Sequence, residues 1–238
     1  MLPQAAVSAP PVSPDRVWIE RELVMCSLSP QYFIERYCQI YDSIAQNWIP
    51  FTLWDAQQEA LKALHGNKLT VALKPRQVGF TWLGLSYDLW GMLFRPIWVG
   101  LIFSRRDDEA MYLLGEDRLR GMYKRLPSWM RSKSILVDSA HEFKLSNGSV
   151  SRAFPTTAGD GYTATYVLID EADLQPDLNQ LMRAVKPTID AGGKLFMISR
   201  VNKRTPNSEF KRTYQSAKAG GNGWAHLFIG WDAHPGRD

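Results

Sequence analysis

The chain has 238 residues, 45% of them hydrophobic, with a formal net charge of +4 and a pI near 9.0. That length can bury one sizeable core plus extensions, and the mild basic bias fits a polyanionic partner without demanding one. The longest apolar runs, Leu83–Gly91 and Ile97–Phe103, are core-helix or strand length and exclude a membrane span; Cys26 and Cys38 lack the number and spacing of a disulfide framework or a metal site and read as core thiols.

Residues 1–14 carry Pro3, Pro10, Pro11 and Pro14 among alanines and are expected to form a disordered tail, with no basic start or apolar core of a secretory signal. Residues 15–49 are expected to form an N-terminal helical extension. Val17, Leu23, Tyr32, Phe33, Tyr37, Ile40 and Ile44 carry its apolar pattern from Arg16 to Asn47, with a break and restart at Ser29-Pro30. The remainder, 50–238, alternates strand and helix patterns.

Leu69–Leu73 is a short, partly β-branched apolar run, and Thr81–Phe94 carries apolar residues near helical spacing. Between them lies Lys74-Pro75-Arg76-Gln77-Val78-Gly79-Phe80-Thr81. A phosphate-binding loop reads G-x-x-x-x-G-K-[ST], its backbone N–H groups and Lys cradling phosphates and its hydroxyl holding Mg²⁺. Here Gly79 and Thr81 are in place, Phe80 stands where the lysine belongs, and a lysine stands at the first position. The charge is moved, not lost, and a long flexible ammonium can enter a phosphate site from either side. The plain alternative is an ordinary strand–helix turn.

Further on come a strand over Ile97–Phe103, a helix over Asp107–Leu126, and strands over Ile135–Leu145 and Ser149–Phe154 around the Asn147-Gly148 turn signal. Tyr166–Ile169 is an apolar strand ending in Asp170 and Glu171. Phosphoryl-transfer enzymes hold Mg²⁺ between the loop hydroxyl and such an Asp, which assigns Thr81 and Asp170 as metal ligands and Glu171 as the base for water. Taken alone, the two acids could equally start a helix. A helix over Leu178–Ile189, a strand over Leu195–Ile198 ending at Ser199 and Arg200, a helix over Ser208–Ala217 and a strand over His226–Trp231 complete the series. The expected fold is α/β, a P-loop NTPase of the ASCE/RecA-like type: a mostly parallel sheet with helices on both faces and ligands at the carboxyl ends of the strands. Trp54, Trp82, Trp90 and Trp98 read as core or nucleotide-pocket residues. Basic residues gather at Arg118, Arg120, Lys124, Arg125, Arg131 and Lys133, and again at Lys203, Arg204, Lys211 and Arg212. They form either solvated faces or phosphate contacts.

In this order, these motifs resemble the ATPase domain of the large terminase subunit of tailed bacteriophages. Pro50–Gln57 is similar to the family's adenine-recognition segment, with Gln57 as the reader; the displaced lysine and the Arg76-Gln77 pair also occur in that family. Gly161-Tyr162-Thr163-Ala164, Ser199 and Thr205-Pro206-Asn207 resemble further family stretches, Ser199 and Arg200 falling at the coupling motif. The resemblance runs from about Phe51 to the end. It implies an ATP hydrolase that uses Mg²⁺ and drives double-stranded DNA into a procapsid. It further implies a homo-oligomeric ring, contacts with the small terminase subunit and the portal, no membrane, and a place in the host cell cytoplasm. ATP contacts would fall on Gln57, Lys74, Pro75, Arg76, Gln77, Val78, Gly79, Phe80 and Thr81, and catalysis on Glu171, Lys74 and Arg76. Many relatives carry Arg where Asp160 stands, so the transition-state charge would come from Arg76, Arg105, Arg106 or Arg152. The family's nuclease domain has no counterpart before the chain ends at His234–Asp238, as expected of an excised or truncated motor domain. Two other readings stand beside this one: a DEAD-box-like helicase fragment, prompted by Asp170–Asp173, and a nucleotide-dead scaffold or DNA-binding module, prompted by Phe80 and Asp160.

Overall fold

A computed structural model describes residues 14–155 and 163–235. The expected tail and the Asp160-Gly161-Tyr162 stretch lie outside the described residues, apart from Pro14. Asp15 starts helix α1 (Arg16–Leu28) by accepting the Trp18 N–H at 2.8 Å, and Ser29 does the same for α2 (Pro30–Tyr37) through Tyr32. Pro30 sits where its missing N–H costs nothing. The helix expected as far as Asn47 stops at Tyr37, and the chain forms a hairpin instead, β1 (Gln39–Asp42) and β2 (Asn47–Pro50). The Asp42 carboxylate explains this: it takes the N–H groups of Ile44 and Ala45 at 2.7 and 3.2 Å, so the turn outcompetes the helix.

The rest runs α3 (Asp55–Gly66), β3 (Leu69–Leu73), α4 (Phe80–Phe94), β4 (Val99–Ser104), α5 (Asp107–Leu114), α6 (Leu119–Arg125), β5 (Ile135–Asp138), β6 (Glu142–Leu145), β7 (Val150–Pro155), β8 (Tyr166–Ile169), α7 (Leu178–Asp190), β9 (Lys194–Ser199), α8 (Glu209–Lys218) and β10 (Ala225–Phe228). The helix expected over Asp107–Leu126 is divided by a turn at 115–118, closed by Gly115 N–H to Tyr112 O and Arg118 N–H to Gly115 O. The strand expected over Ile135–Leu145 is likewise two antiparallel strands.

One sheet has the order β10-β3-β9-β8-β4-β7-β6-β5. It is parallel from β10 to β7, and β6 pairs antiparallel with both β7 and β5. Its central strands alternate between two cores, as a two-residue period requires. Ala72, Ile102, Leu168, Phe196 and Ile198 join the helices α1–α6 on one side; Val71, Leu101, Val167, Ile169, Leu195 and Met197 join α7 and α8 on the other. Helix α4 is buried along nearly its whole length. The N-terminal pair packs on it: Trp90 Nε1 donates to Cys26 O at 2.8 Å, and Phe33 meets Phe94 edge to face at 5.3 Å. Cys26 and Cys38 are free, buried thiols, and burial pushes Cys26 up to about 12. Among the described residues no helix is long and apolar enough to cross a membrane.

Candidate active site

The carboxyl ends of β3, β4 and β8 open onto one cavity of about 1200 Å³, as a parallel sheet predicts. Its wall includes Lys74, Arg76–Thr81, Gln57, Ser104, Arg105, Asp170, Glu171 and Arg200. The loop after β3 reaches α4 through two residues with positive φ, Gln77 (58°) and Gly79 (71°). A Cβ at Gly79 would strike the Gln57 side-chain amide, so glycine is required there on two grounds. Gln57 is almost fully buried, and its Nε2 donates to Val78 O at 3.1 Å, bracing the loop from α3.

The displaced lysine reaches the centre. Lys74 is buried; its backbone N–H donates to Ser199 O at 2.9 Å and its Nζ donates to Glu171 Oε1 at 2.7 Å. Phe80, at the usual lysine position, has its ring in the core at 1% exposure, so no ammonium could start there without losing that packing. Thr81 opens the first turn of α4, and its hydroxyl donates to both Asp170 carboxylate oxygens at 3.1 and 3.2 Å. Burial pushes the Asp170 carboxyl up to about 6, Lys74 pulls it down and Glu171 pushes it up again. Glu171 has φ 48°, a left-handed conformation that costs a non-glycine residue about 1 kcal/mol or more and turns its side chain toward Lys74. Its second oxygen accepts the Arg200 N–H at 3.3 Å, and the Arg200 guanidinium lies 3.8 Å away. Behind the site, Ser199 Oγ accepts the Asp173 N–H at 2.9 Å, while buried Asp173 accepts from Asn202 N–H and from the Ser208 hydroxyl. The strand end that bears Asp170 and Glu171 is thus tied to the β9–α8 loop. A hydroxyl and a carboxylate beside a phosphate loop suit Mg²⁺, which takes few protein oxygens and keeps water and phosphate ligands.

Not every expected residue arrives. Arg105 lines the cavity but pairs with Glu109 at 2.5 Å. Arg106 pairs with Asp108 at 3.1 Å, Arg152 with Glu142 at 2.7 Å, and neither borders the cavity. Pro75 and Ser199 lie behind the wall.

Solved structures similar to this chain include the ATPase domain of a Thermus phage large terminase (TM-score 0.60, 18% identity, 77% of this chain, 83% of that one). They also include the large terminase of bacteriophage HK97 (0.64, 15%, 85% of this chain and 43% of that one). A third is the large terminase of a thermophilic bacteriophage in complex with ADP (0.59, 16%, 76% and 46%).

This chain has the fold of a large-terminase ATPase domain.

No family model matches the sequence, and no curated protein matches it in sequence. Against the two longer terminase chains, this one spans less than half their length. Within the terminase-like fold, several of the basic residues noted in sequence find partners in the chain, although Lys124, Arg125, Arg131 and Arg212 stay exposed. Lys211 caps the carbonyls of Asn202 and Thr205 at 2.5 and 2.6 Å, Arg212 pairs with Glu209, Arg125 lies 3.7 Å over Trp48, and Lys133 donates to Leu93 O. Lys203 and Arg204 stay exposed on the β9–α8 loop. Sequence reading also missed Tyr112 and Arg118 as neighbours of the site, because nothing in their spacing links them to Trp82, which the sequence marks as a core or nucleotide-pocket residue.

Proposed function

We propose that this chain is the ATP-hydrolysing motor domain of a viral large terminase, which moves double-stranded DNA into a procapsid. The observation that carries the reading is the meeting of Lys74, Thr81, Asp170 and Glu171, drawn from two neighbouring loops, at one cavity. The loop amides at the start of α4 and the Lys74 ammonium bind the triphosphate. Thr81 and Asp170 would hold Mg²⁺, which neutralises charge on the phosphates when bound. Glu171 orients water and accepts its proton, its carboxylate held in place by the Lys74 and Arg200 side chains. Arg76 and Gln57 border the nucleotide, and Ser199 with Arg200 senses the state of Glu171. Ring assembly, contacts with the small subunit and the portal, and action in the host cytoplasm belong to the same proposal.

Replacing Glu171 with Gln tests it. Calorimetric titration should give ATP–Mg²⁺ affinity within about threefold of wild type, with turnover lowered roughly 10²–10⁴-fold, the usual worth of a general base. A wild-type chain that binds no ATP would instead be a scaffold with a relic site.

A further inference from the structure

We propose that Arg118 is a catalytic arginine supplied in cis, aimed at the charge that develops on the transferred phosphoryl group; the assignment rests on the ATPase reading above. Arg118 lines the same cavity as Lys74, Thr81, Asp170 and Glu171. Its guanidinium carbon lies 4.4 Å from the ring centroid of Trp82 and 4.4 Å from that of Tyr112, so the side chain is held between two aromatic rings. Trp82 directly follows Thr81 on α4, and Tyr112 belongs to α5. The clamp is therefore anchored to the phosphate-binding helix itself. Aromatic faces fix the plane of a guanidinium without cancelling its charge. Only Nη1 is engaged by the backbone, donating to Asp117 O at 2.8 Å.

Four other arginines of the neighbourhood differ in this respect. Arg105 and Arg106 share Glu109, Arg152 is paired with Glu142, and Arg200 faces Glu171. Among the described residues no carboxylate lies within ion-pair distance of Arg118. Burial lowers its pKa from the usual arginine value, while Tyr112, then Asp117 and Asp170, pull it back up, as for a half-buried cation near several acidic groups. Such a cation, preorientated and lacking an anion, is suited to an anion that appears only during reaction.

In the step assigned here, water attacks the γ-phosphorus, the bond to the β–γ bridging oxygen breaks, and Glu171 takes the water proton. ADP and inorganic phosphate leave. Arg118 donates hydrogen bonds to the phosphoryl oxygens and exchanges no electrons.

The test compares two affinities: ATP–Mg²⁺, and ADP with Mg²⁺ and aluminium fluoride, which imitates the phosphoryl group in transit. Arg118→Ala should leave ATP affinity within about threefold and weaken the aluminium fluoride complex about 10²-fold or more, in line with the rate effect of such arginines. Millimolar guanidinium should restore part of that loss, and sodium at the same ionic strength should not. Arg118→Lys keeps the charge and the stem but loses the planar fork, so it should also bind the aluminium fluoride complex weakly, and it decides the matter if the alanine variant does not fold. Equal loss of both affinities, or no loss of either, would overturn the assignment. A wild-type protein that binds ATP and the aluminium fluoride complex alongside an indifferent Arg118→Ala would sink Arg118 alone; a wild type that binds no ATP would sink the ATPase reading beneath it.

Discussion

Two buried aspartates, Asp88 and Asp170, sit on either side of the same helix–sheet contact and serve opposite ends. Asp88 lies mid-way along α4 at 0% exposure; it accepts Trp98 Nε1 at 2.7 Å and Ser151 Oγ at 2.6 Å, tying α4 to the start of β4 and to β7. A side chain at Gly100 would collide with it, so β4 makes room by having none. Asp170 ends β8 at the cavity, with the Thr81 hydroxyl and the Glu171 N–H as donors and the Lys74 ammonium nearby. Burial pushes both carboxyls up to about 6. The same residue, buried in both places, is closed off by neutral donors in one and left facing a cavity in the other. Burial of a carboxylate therefore does not identify a functional site; what the lone pairs face does.

Interchanging their fates gives the sharpest tests. Asp170→Asn should reduce ATP turnover about 10³-fold, since metal ligation is worth several kcal/mol, whereas Asp88→Asn should stay within about threefold in the same steady-state assay. Equal loss in both variants would erase the contrast. Asp88→Ala should cost ~3 kcal/mol of stability by urea denaturation, because the buried Trp98 and Ser151 donors lose their acceptor and a void opens. Saturating ATP–Mg²⁺ should stabilise wild type and Asp88→Asn by roughly 2–3 kcal/mol in thermal melts at about 100 times Kd, and Asp170→Asn by much less.

The smallest effect is that of pH. The Asp88 carboxyl has a folded-state value of about 6 against an ordinary 3.8. Above pH 6 the folded protein holds a buried charge that the unfolded chain solvates. The group's stabilising contribution is therefore complete below about pH 4 and is lost as pH rises through 6. Between pH 5 and 7 wild type should lose on the order of 1 kcal/mol that Asp88→Asn does not lose. An unchanged slope in the variant would show that Asp88 does not titrate there.

Much of this was legible in the chain itself. Strands at Leu69–Leu73, Tyr166–Ile169 and Lys194–Ser199 are runs of apolar residues buried on both sides, and local composition decides them. That Thr81, Asp170 and Glu171 come together at one cavity was readable because strand ends in a parallel sheet point to one edge. The boundaries that failed did so through short-range hydrogen bonds: the Asp42 carboxylate ended the expected helix, and the backbone bonds of a turn at 115–118 divided another.

Sequence alone determined the strand–helix alternation and the place of the loop between the Leu69–Leu73 strand and the helix that follows it, since both follow from periodicity and backbone demands within a few residues. Only the tertiary structure decided that Lys74 meets Glu171 and that Arg118 stands between Trp82 and Tyr112. Charge pairing and aromatic stacking reach only a few ångströms, and the groups they join here are separated by up to 97 positions along the chain, a distance over which no local pattern carries information.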